Sequence, residues 1–311
     1  MKFLFKETYR KDSPIKLSTT DKKLIQLLLI DARTPLKTLA KQLHVSEPAI
    51  HYKIKSLQEK QILLTPVTYP NIQLLQNPFY IAEVSTLFGS DTLENIKKIQ
   101  SIKEIAIQIW YSGPYNLIFS IQHEQPLLIL QKIHNIIPIK NYRLRKVINM
   151  WYNPPHLFYN TKKHVSYTTN TPILNERQKE IFSYLTEHPL ARILEIHHQL
   201  GYATKTIQQD LLFLSKDAIR AILYLPNAWA CQHDIISTSF KVIGDIPTLI
   251  QQLLVLPQTK NVWVCDHEWN LNVAFWVKNP SELTRIIAQL EQQHTILDVD
   301  YGIATKMIGK L

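Results

Sequence analysis

The sequence predicts an α+β protein in which two helix-turn-helix units alternate with two βαββαβ units. The first observation is an internal repeat: residues 17–63 align without a gap on residues 174–220 and share their apolar positions. The second is a strand-like alternation after each copy, with a hairpin around Tyr115 in the first copy and around Trp269 in the second. The third is a stretch rich in Pro, Asn and Thr between the copies, at residues 153–172.

These patterns divide the chain into six segments. They are an N-terminal extension (1–16), a winged helix-turn-helix domain (17–68), a ferredoxin-like βαββαβ domain (75–152), a linker (153–172), a second, degenerate winged helix-turn-helix domain (173–228) and a second ferredoxin-like domain (229–311). The fold class is therefore α+β, with two winged helix-turn-helix domains and two ferredoxin-like βαββαβ domains in tandem.

The basic charge of the chain is confined to its first half. The whole chain has 35 Lys and Arg against 25 Asp and Glu. Residues 1–150 carry 21 of the basic and 11 of the acidic residues, whereas residues 151–311 carry 14 of each. This asymmetry favours a polyanionic partner for the first half, and the alternative is a solvated Lys-rich face.

Several classes of protein are disfavoured. The six glycines form neither GxxxxGK[ST] nor GxGxxG, which argues against nucleotide-binding enzymes of those types. Cys231 and Cys265 are isolated, and the adjacent His197 and His198 point to different sides of a helix, so we expect no metal and no cofactor. The sequence has no signal-like or membrane-spanning segment, which predicts a cytoplasmic protein without a membrane partner.

The first repeat has the pattern of a DNA-reading helix-turn-helix. Ser18 and Asp21 predict a capped first helix, and Ser46 with Pro48 predicts the start of a third helix. The inward positions of that third helix leave basic and polar residues on its outer face, as in helices that enter the major groove. We expect a β-wing to begin at Ile62.

Residues 17–63 resemble the DNA-binding domain of the Lrp/AsnC transcription regulators. The matching positions are Leu17, Asp21, Leu24, Asp31 to Arg33, Leu39 to Ala40, Val45 to Ser46, Leu57 and Ile62. Gln61 departs from the Gly usual in the family. The resemblance implies double-stranded DNA as a partner and self-association to a dimer or higher. The candidate DNA contacts are Ser46, Glu47, Ala49, His51, Tyr52, Lys53 and Lys55 on the third helix, with Lys23, Lys37 and Lys41 for phosphates.

The second repeat keeps the apolar positions but offers a different third helix. This helix is expected to present Lys205, Gln208, Gln209 and Asp210, and an anionic Asp210 is unfavourable beside phosphates. One interpretation is a structural domain without DNA-binding activity. The other is a domain that reads a different DNA sequence.

The hairpin of each βαββαβ unit carries candidate ligand-binding residues. Gly113, Tyr115 and Asn116 resemble the Gly-x-Tyr-Asp signature of the Lrp/AsnC effector domain, which implies a small-molecule effector, an amino acid or another metabolite. The corresponding residues of the second hairpin are His267, Glu268, Trp269 and Asn270, which follow Asp266.

Three interpretations of the second hairpin stay open. It is a polar hairpin tip, an effector loop, or a site similar to that of the siroheme decarboxylases, a neighbouring family built from the same units. The last interpretation implies an enzyme of haem biosynthesis. A further alternative for the whole protein is a small-molecule sensor that does not bind DNA.

Overall fold

The structure is a computed structural model that describes residues 8–9, 16–87, 89–153, 157–158 and 171–309. The predicted N-terminal extension and most of the predicted linker lie outside the described residues. The rest of the chain contains helical units and antiparallel strands in the predicted order, which confirms the α+β class.

A short strand β1 (Thr8–Tyr9) is followed by the three helices of the first unit. These are α1 (Thr19–Ile30), α2 (Leu36–Leu43) and α3 (Glu47–Glu59). Ser18 and Asp21 form a reciprocal capping box at the start of α1, and Ser46 caps α3 by accepting a hydrogen bond from the Ala49 N–H. His44 adopts the left-handed conformation (φ 54°) and ends α2. The predicted helix-turn-helix is therefore confirmed, and its core contains Leu24, Leu28, Leu39, Ile50 and Leu57.

The first βαββαβ unit follows the strand β2 (Leu63–Pro70) and a 3₁₀ turn (Ile72–Leu74). Its elements are β3 (Phe79–Thr86), α4 (Leu93–Gln100), β4 (Ile105–Ser112), β5 (Leu117–Gln122), α5 (Pro126–His134) and β6 (Ile139–Tyr152). Both helices pack on one face of the sheet, where Ile96, Phe119 and Ile129 are buried together. The other face is directed toward the second copy.

The second copy repeats this architecture. Its helical unit is α6 (Glu176–Glu187), α7 (Ile193–Leu200) and α8 (Thr204–Asp217), followed by β7 (Ile219–Pro226). Its βαββαβ unit is β8 (Asp234–Ile243), α9 (Ile246–Val255), β9 (Thr259–Asp266), β10 (Leu271–Val277), α10 (Ser281–Glu291) and β11 (Thr295–Gly309).

The strands that follow the two helical units pair with each other. Where we expected a β-wing, β2 instead forms an antiparallel ribbon with β7, with Val67 opposite Leu223. Contacts between the copies reinforce the ribbon: the Arg33 guanidinium donates to the Ala191 carbonyl (2.9 Å), and the Thr68 hydroxyl donates to the Leu185 carbonyl (2.6 Å). By pairing with an equivalent strand, β2 satisfies the backbone hydrogen-bonding groups along its edge without forming a hairpin of its own.

The two ferredoxin-like sheets are joined edge to edge into one closed barrel. The strand β6 pairs with β9 on one side, and the long strand β11 pairs with both β8 and β4 on the other. Gly113 and Gly302 allow the backbones of the two copies to approach there, because a Cβ added at Gly113 would lie 3.1 Å from the Gly302 Cα. The pairing therefore occurs within one chain. None of the described helices is long and apolar enough to cross a bilayer.

Candidate DNA interface and ligand-binding loops

The outer face of α3 carries most of the predicted DNA contacts. Glu47, His51, Tyr52 and Lys55 are exposed, and the Tyr52 side chain is 72% exposed, which is unusual for an aromatic residue. Ala49 is half-buried, and the Ser46 hydroxyl is used in capping α3. A helix that exposes a tyrosine, a histidine and a lysine on one side can contact both bases and phosphates.

Lys53 is held by a structural ion pair within the helical unit. Its ammonium lies 2.7 Å from Asp21 Oδ1, and both side chains are partly buried. Burial opposes ionisation of Asp21, but hydrogen bonds from Lys53 and Ser18 outweigh it and hold the pKa of this carboxyl below its ordinary value. Lys53 therefore connects α3 to α1, and Lys55 is the freer cation on the helix.

The predicted phosphate-binding lysines lie on the other two helices of the unit. Lys37 and Lys41 are exposed one turn apart on α2 and line a shallow surface groove with Thr38, Gln42 and His44. Lys23 is exposed on α1. No ion pair joins any of these three ammonium groups to a carboxylate within the described part of the chain. Their charges are available to an external anion.

The interpretation that α8 presents Asp210 to solvent is wrong. Asp210 is 4% exposed and accepts hydrogen bonds from Arg177 Nε (2.6 Å) and Gln178 Nε2 (3.1 Å) of α6. Burial opposes its ionisation, but these hydrogen bonds lower the pKa of the carboxyl. Asp210 occupies the repeat position of Lys53, so both copies connect their first and third helices at the same place with opposite charges.

The second copy lacks three exposed lysines of the first. At the repeat positions of Lys37 and Lys55 it has Leu194 and Leu212, which are 61% and 63% exposed, and Lys23 is replaced by Glu180. An apolar and acidic face is poorly suited to a polyphosphate backbone. The exposed charge therefore differs between the copies at these positions, whereas Lys53 and Asp210 each form an ion pair within their own helical unit.

The predicted ligand-binding asparagines are used inside the fold. Asn116 accepts a hydrogen bond from the Thr86 N–H (2.7 Å), and Asn270 accepts one from the Val242 N–H (3.1 Å), so each clamps its hairpin to a neighbouring strand. Gly113 serves the close approach of the two copies. The ligand-binding role of these residues stays a prediction.

The two predicted ligand loops meet on one arginine. The Arg143 guanidinium lies 4.7 Å from the ring centroid of Tyr115 and 4.0 Å from that of Trp269, so the equivalent aromatic residues of the two hairpins both contact it. Stacking of a guanidinium on aromatic faces is favourable when the cation is desolvated. The structure thus brings together Tyr115 and Trp269, which are 154 positions apart in sequence.

A central ion cluster lies beneath these rings and was missed by sequence reasoning. We define it as Glu83, Arg143, Arg145 and Asp300. The Glu83 carboxylate accepts a hydrogen bond from the Arg143 guanidinium (2.9 Å) and lies 2.8 Å from that of Arg145. The Arg143 guanidinium also lies 3.2 Å from the Asp300 carboxylate. Burial raises the pKa of Asp300. Arg143 and Arg145 are two positions apart on β6, so they lie on the same face of the strand. Charged residues at these inward positions were the sequence signal for the cluster.

The second loop is otherwise an exposed hairpin tip. Glu268 accepts a hydrogen bond from the Lys241 ammonium (2.6 Å), and this contact lowers the pKa of the Glu268 carboxyl. His267 Nδ1 accepts the Trp269 N–H (3.1 Å). Burial and the nearby Arg145 lower the pKa of His267, so its imidazole is biased toward the neutral form.

The first helical unit matches a known family of DNA-binding domains. Residues 17–58 are an AsnC-type helix-turn-helix domain. The chain is similar to the Regulatory protein AsnC of Haemophilus influenzae, with 22% identity over 125 residues, which are 40% of this chain and 81% of AsnC. It is also similar to an uncharacterized HTH-type transcriptional regulator of Pyrococcus abyssi, with 27% identity over 130 residues, which are 39% of this chain and 85% of that protein.

Over nearly its whole length the chain has the fold of one solved enzyme. The crystal structure of the siroheme decarboxylase NirDL matches 94% of this chain and 93% of its own, with a TM-score of 0.55 and 14% identity. The co-complex of that enzyme with an iron-uroporphyrin III analogue matches with a TM-score of 0.53 and 15% identity. At this identity the likeness shows the fold alone.

Proposed function

We propose that this protein is a DNA-binding transcription regulator of the Lrp/AsnC type that reads DNA with the helical unit of its first copy. The observation that carries the proposal is the AsnC-type domain at residues 17–58, whose third helix exposes polar and cationic side chains. Similarity to the Regulatory protein AsnC and to an HTH-type transcriptional regulator, over about 40% of the chain, supports the same conclusion. Such a protein acts in the cytoplasm, where DNA is accessible.

The residues of this unit take different roles in the proposal. His51, Tyr52 and Lys55 contact base edges and phosphates from α3, with Glu47 and Ala49 at the leading end of the helix. Lys37 and Lys41 bind phosphates. Lys53 positions α3 through Asp21 and does not itself bind DNA, because its charge is already neutralised.

Two reading units require two chains. The barrel already joins both ferredoxin-like units within one chain, and the second helical unit has Leu194, Leu212 and Glu180 where the first has exposed lysines. A palindromic site offers two equivalent half-sites, so we propose that chains self-associate to engage both of them. Effector binding at the hairpins that meet on Arg143 would regulate this assembly.

A binding experiment on selected DNA tests the proposal. Genomic fragments retained by the full chain are sequenced, and a labelled fragment is titrated by fluorescence anisotropy between 50 and 200 mM salt. The double variant Lys37→Ala/Lys41→Ala should bind more weakly, with a salt slope smaller by about two units, because two phosphate contacts are lost. The matched control is Lys205→Ala on the second copy, which should behave as the wild type. Unchanged affinity and slope in the double variant would contradict the assignment.

An enzyme is the second candidate. It is favoured by the full-length fold match to the siroheme decarboxylase NirDL and by the two buried arginines, which suit carboxylates. Against it, Glu83 already engages both arginines, and the pocket beside the central ion cluster has a volume of about 10 Å³. Small-molecule sites usually enclose several hundred Å³, so this site would have to open.

The two candidates give opposite results with siroheme. The purified chain is incubated with siroheme under reducing conditions, and loss of acetate carboxyl groups is followed by mass spectrometry. The regulator proposal expects no product. Turnover that is lost in Arg145→Ala would establish the enzyme instead. A chain that neither selects DNA nor acts on siroheme would be a sensor that works through another partner.

A further inference from the structure

A cavity of about 120 Å³ lies inside the barrel, between the two ferredoxin-like sheets. Both copies contribute to its lining, which is mostly apolar: Phe79, Ile118 and Met150 come from the first copy, and Ile235 and Trp276 from the second. An engineered apolar cavity of roughly 150 Å³ can bind benzene. The space in the barrel therefore suits a group of about six heavy atoms.

Lys260 is the one charged residue among the residues that line this cavity. It is 7% exposed and occupies an irregular position of β9, because Ala274 pairs with Asn261 and Phe275 pairs with Thr259, which leaves Lys260 as the extra residue. A bulge of this kind re-aims a side chain. The ammonium lies 4.1 Å from the ring centroid of Trp276, and no described residue gives it a carboxylate or a hydrogen-bond acceptor.

Other polar atoms on the lining also lack partners. The Asn261 side-chain oxygen and the Trp263 indole N–H are buried without a hydrogen-bond partner in the described structure. The phenols of Tyr69 and Tyr111, which line the cavity as well, have pKa values raised by burial and stay neutral. Buried polar groups without partners are uncommon in native proteins, and a bound water or ion is one explanation for them. Asn261 and Trp263 line the same cavity as Lys260.

We propose that the barrel interior binds a small, mainly apolar monocarboxylate, whose carboxylate pairs with Lys260 and whose hydrocarbon part fills the apolar cavity. The carboxylate would supply the counter-charge that the barrel lacks, and one of its oxygens would accept the Trp263 N–H. This site is separate from the hairpin loops, and its occupancy does not depend on DNA recognition.

Binding of the carboxylate is coupled to a proton. Burial lowers the pKa of Lys260 to about 7, so the free protein holds this amine partly neutral at physiological pH. The bound carboxylate favours the ammonium form, and the site must take up a proton when it binds. Affinity should therefore fall by roughly tenfold for each pH unit above 7, until the amine can no longer be protonated in the complex.

Calorimetric titration of the full chain tests the site. The probes are 3-methylbutyrate and benzoate, and the controls are the corresponding uncharged amides. The wild type should bind at least one of the acids with one site per chain and bind its amide roughly tenfold to a hundredfold more weakly, because the amide forgoes a charge-assisted bond. Lys260→Met should lose the preference for the acid. It should remain folded, because it replaces a buried cation with an apolar side chain of similar length.

The matched control is Lys278→Met, which removes an exposed lysine near the end of β10 and should leave binding unchanged. The proposal is overturned if neither acid binds saturably, or if Lys260→Met binds the acids as the wild type does. A pH-independent affinity between pH 6 and 9 would overturn it too. None of these outcomes bears on DNA binding, so the two proposals fail separately.

Discussion

Replacement of Lys260 by Met should make the stability of the barrel less dependent on pH. The ordinary pKa of a lysine is 10.5, and burial lowers that of Lys260 to about 7. Between these values the unfolded chain binds a proton that the folded chain does not, so stability rises with pH across that window. At about 1.4 kcal/mol per pH unit, the buried lysine costs up to about 5 kcal/mol below pH 7, and this cost disappears toward pH 10.5.

The cation–π contact with Trp276 offsets part of this cost, because it favours the charged form. No other charged residue belongs to the described lining of the cavity, so none sets the pKa of Lys260 from there. Tyr69 and Tyr111 stay neutral below pH 9. Between pH 6 and pH 9 the wild type should therefore gain about 3 kcal/mol of unfolding free energy relative to Lys260→Met. For a cooperative unit of roughly 150 to 250 residues, this difference in unfolding free energy corresponds to roughly 6 to 12 °C in Tm.

Thermal unfolding of both proteins at pH 6, 7, 8 and 9 measures this difference directly. The comparison with Lys260→Met cancels the histidines and carboxylates that the two proteins share. At pH 6 the variant should melt above the wild type, and the gap should close as the pH rises. Lys278→Met should keep a constant offset. A difference in Tm that is the same at pH 6 and pH 9 would refute the reasoning.

Four further substitutions test other parts of the structure. Tyr52→Ala should leave the Tm unchanged, since the residue is 72% exposed, and should weaken DNA binding measured by anisotropy; equal binding would remove α3 from the interface. Glu83→Gln should lower the free energy of unfolding by about 3–5 kcal/mol, because it leaves two buried arginines without a full counter-charge. A smaller loss measured by calorimetry would contradict this expectation. Asp210→Ala should lower the Tm by removing buried hydrogen bonds to Arg177 and Gln178, while leaving DNA affinity intact. Gly113→Ala should destabilise the barrel by about 1–3 kcal/mol, because the added methyl group would lie 3.1 Å from backbone atoms of the second copy. An unchanged Tm would show that the backbone at this contact moves apart at little cost.

Local signals predicted much of the architecture. Caps at Ser18 and Ser46 and the apolar repeat were sufficient for the helical units, because both depend on residues within a few positions of each other. The repeat also predicted two equivalent sheets. What the sequence did not reveal was the partner of each edge: β2 was expected to start a wing and instead pairs with β7, and such pairing joins residues about 150 positions apart.

The candidate sites were harder to predict for the same reason. Exposure along α3 followed from helical periodicity, and Tyr52 and Lys55 lie where expected. Lys53 and Asp210 were assigned to the surface because they fall outside the apolar positions of their helices, but each has a partner on the first helix of its unit that periodicity does not identify. Lys260 lies within the strand β9 at the position where its pairing with β10 becomes irregular, and only the register between these two strands reveals this.

Closure of the barrel within one chain allows opposite charges to meet where identical subunits would oppose like charges. Glu83 and Ser239 occupy equivalent positions of the two copies, and so do Arg143 and Asp300. Across the barrel Glu83 meets Ser239 at 2.7 Å and Arg143 meets Asp300 at 3.2 Å. In a symmetric pair of first copies, glutamate would face glutamate and arginine would face arginine. Because both copies lie in one chain, a substitution can change one side of the barrel without changing the other, and complementary charges can replace identical ones there.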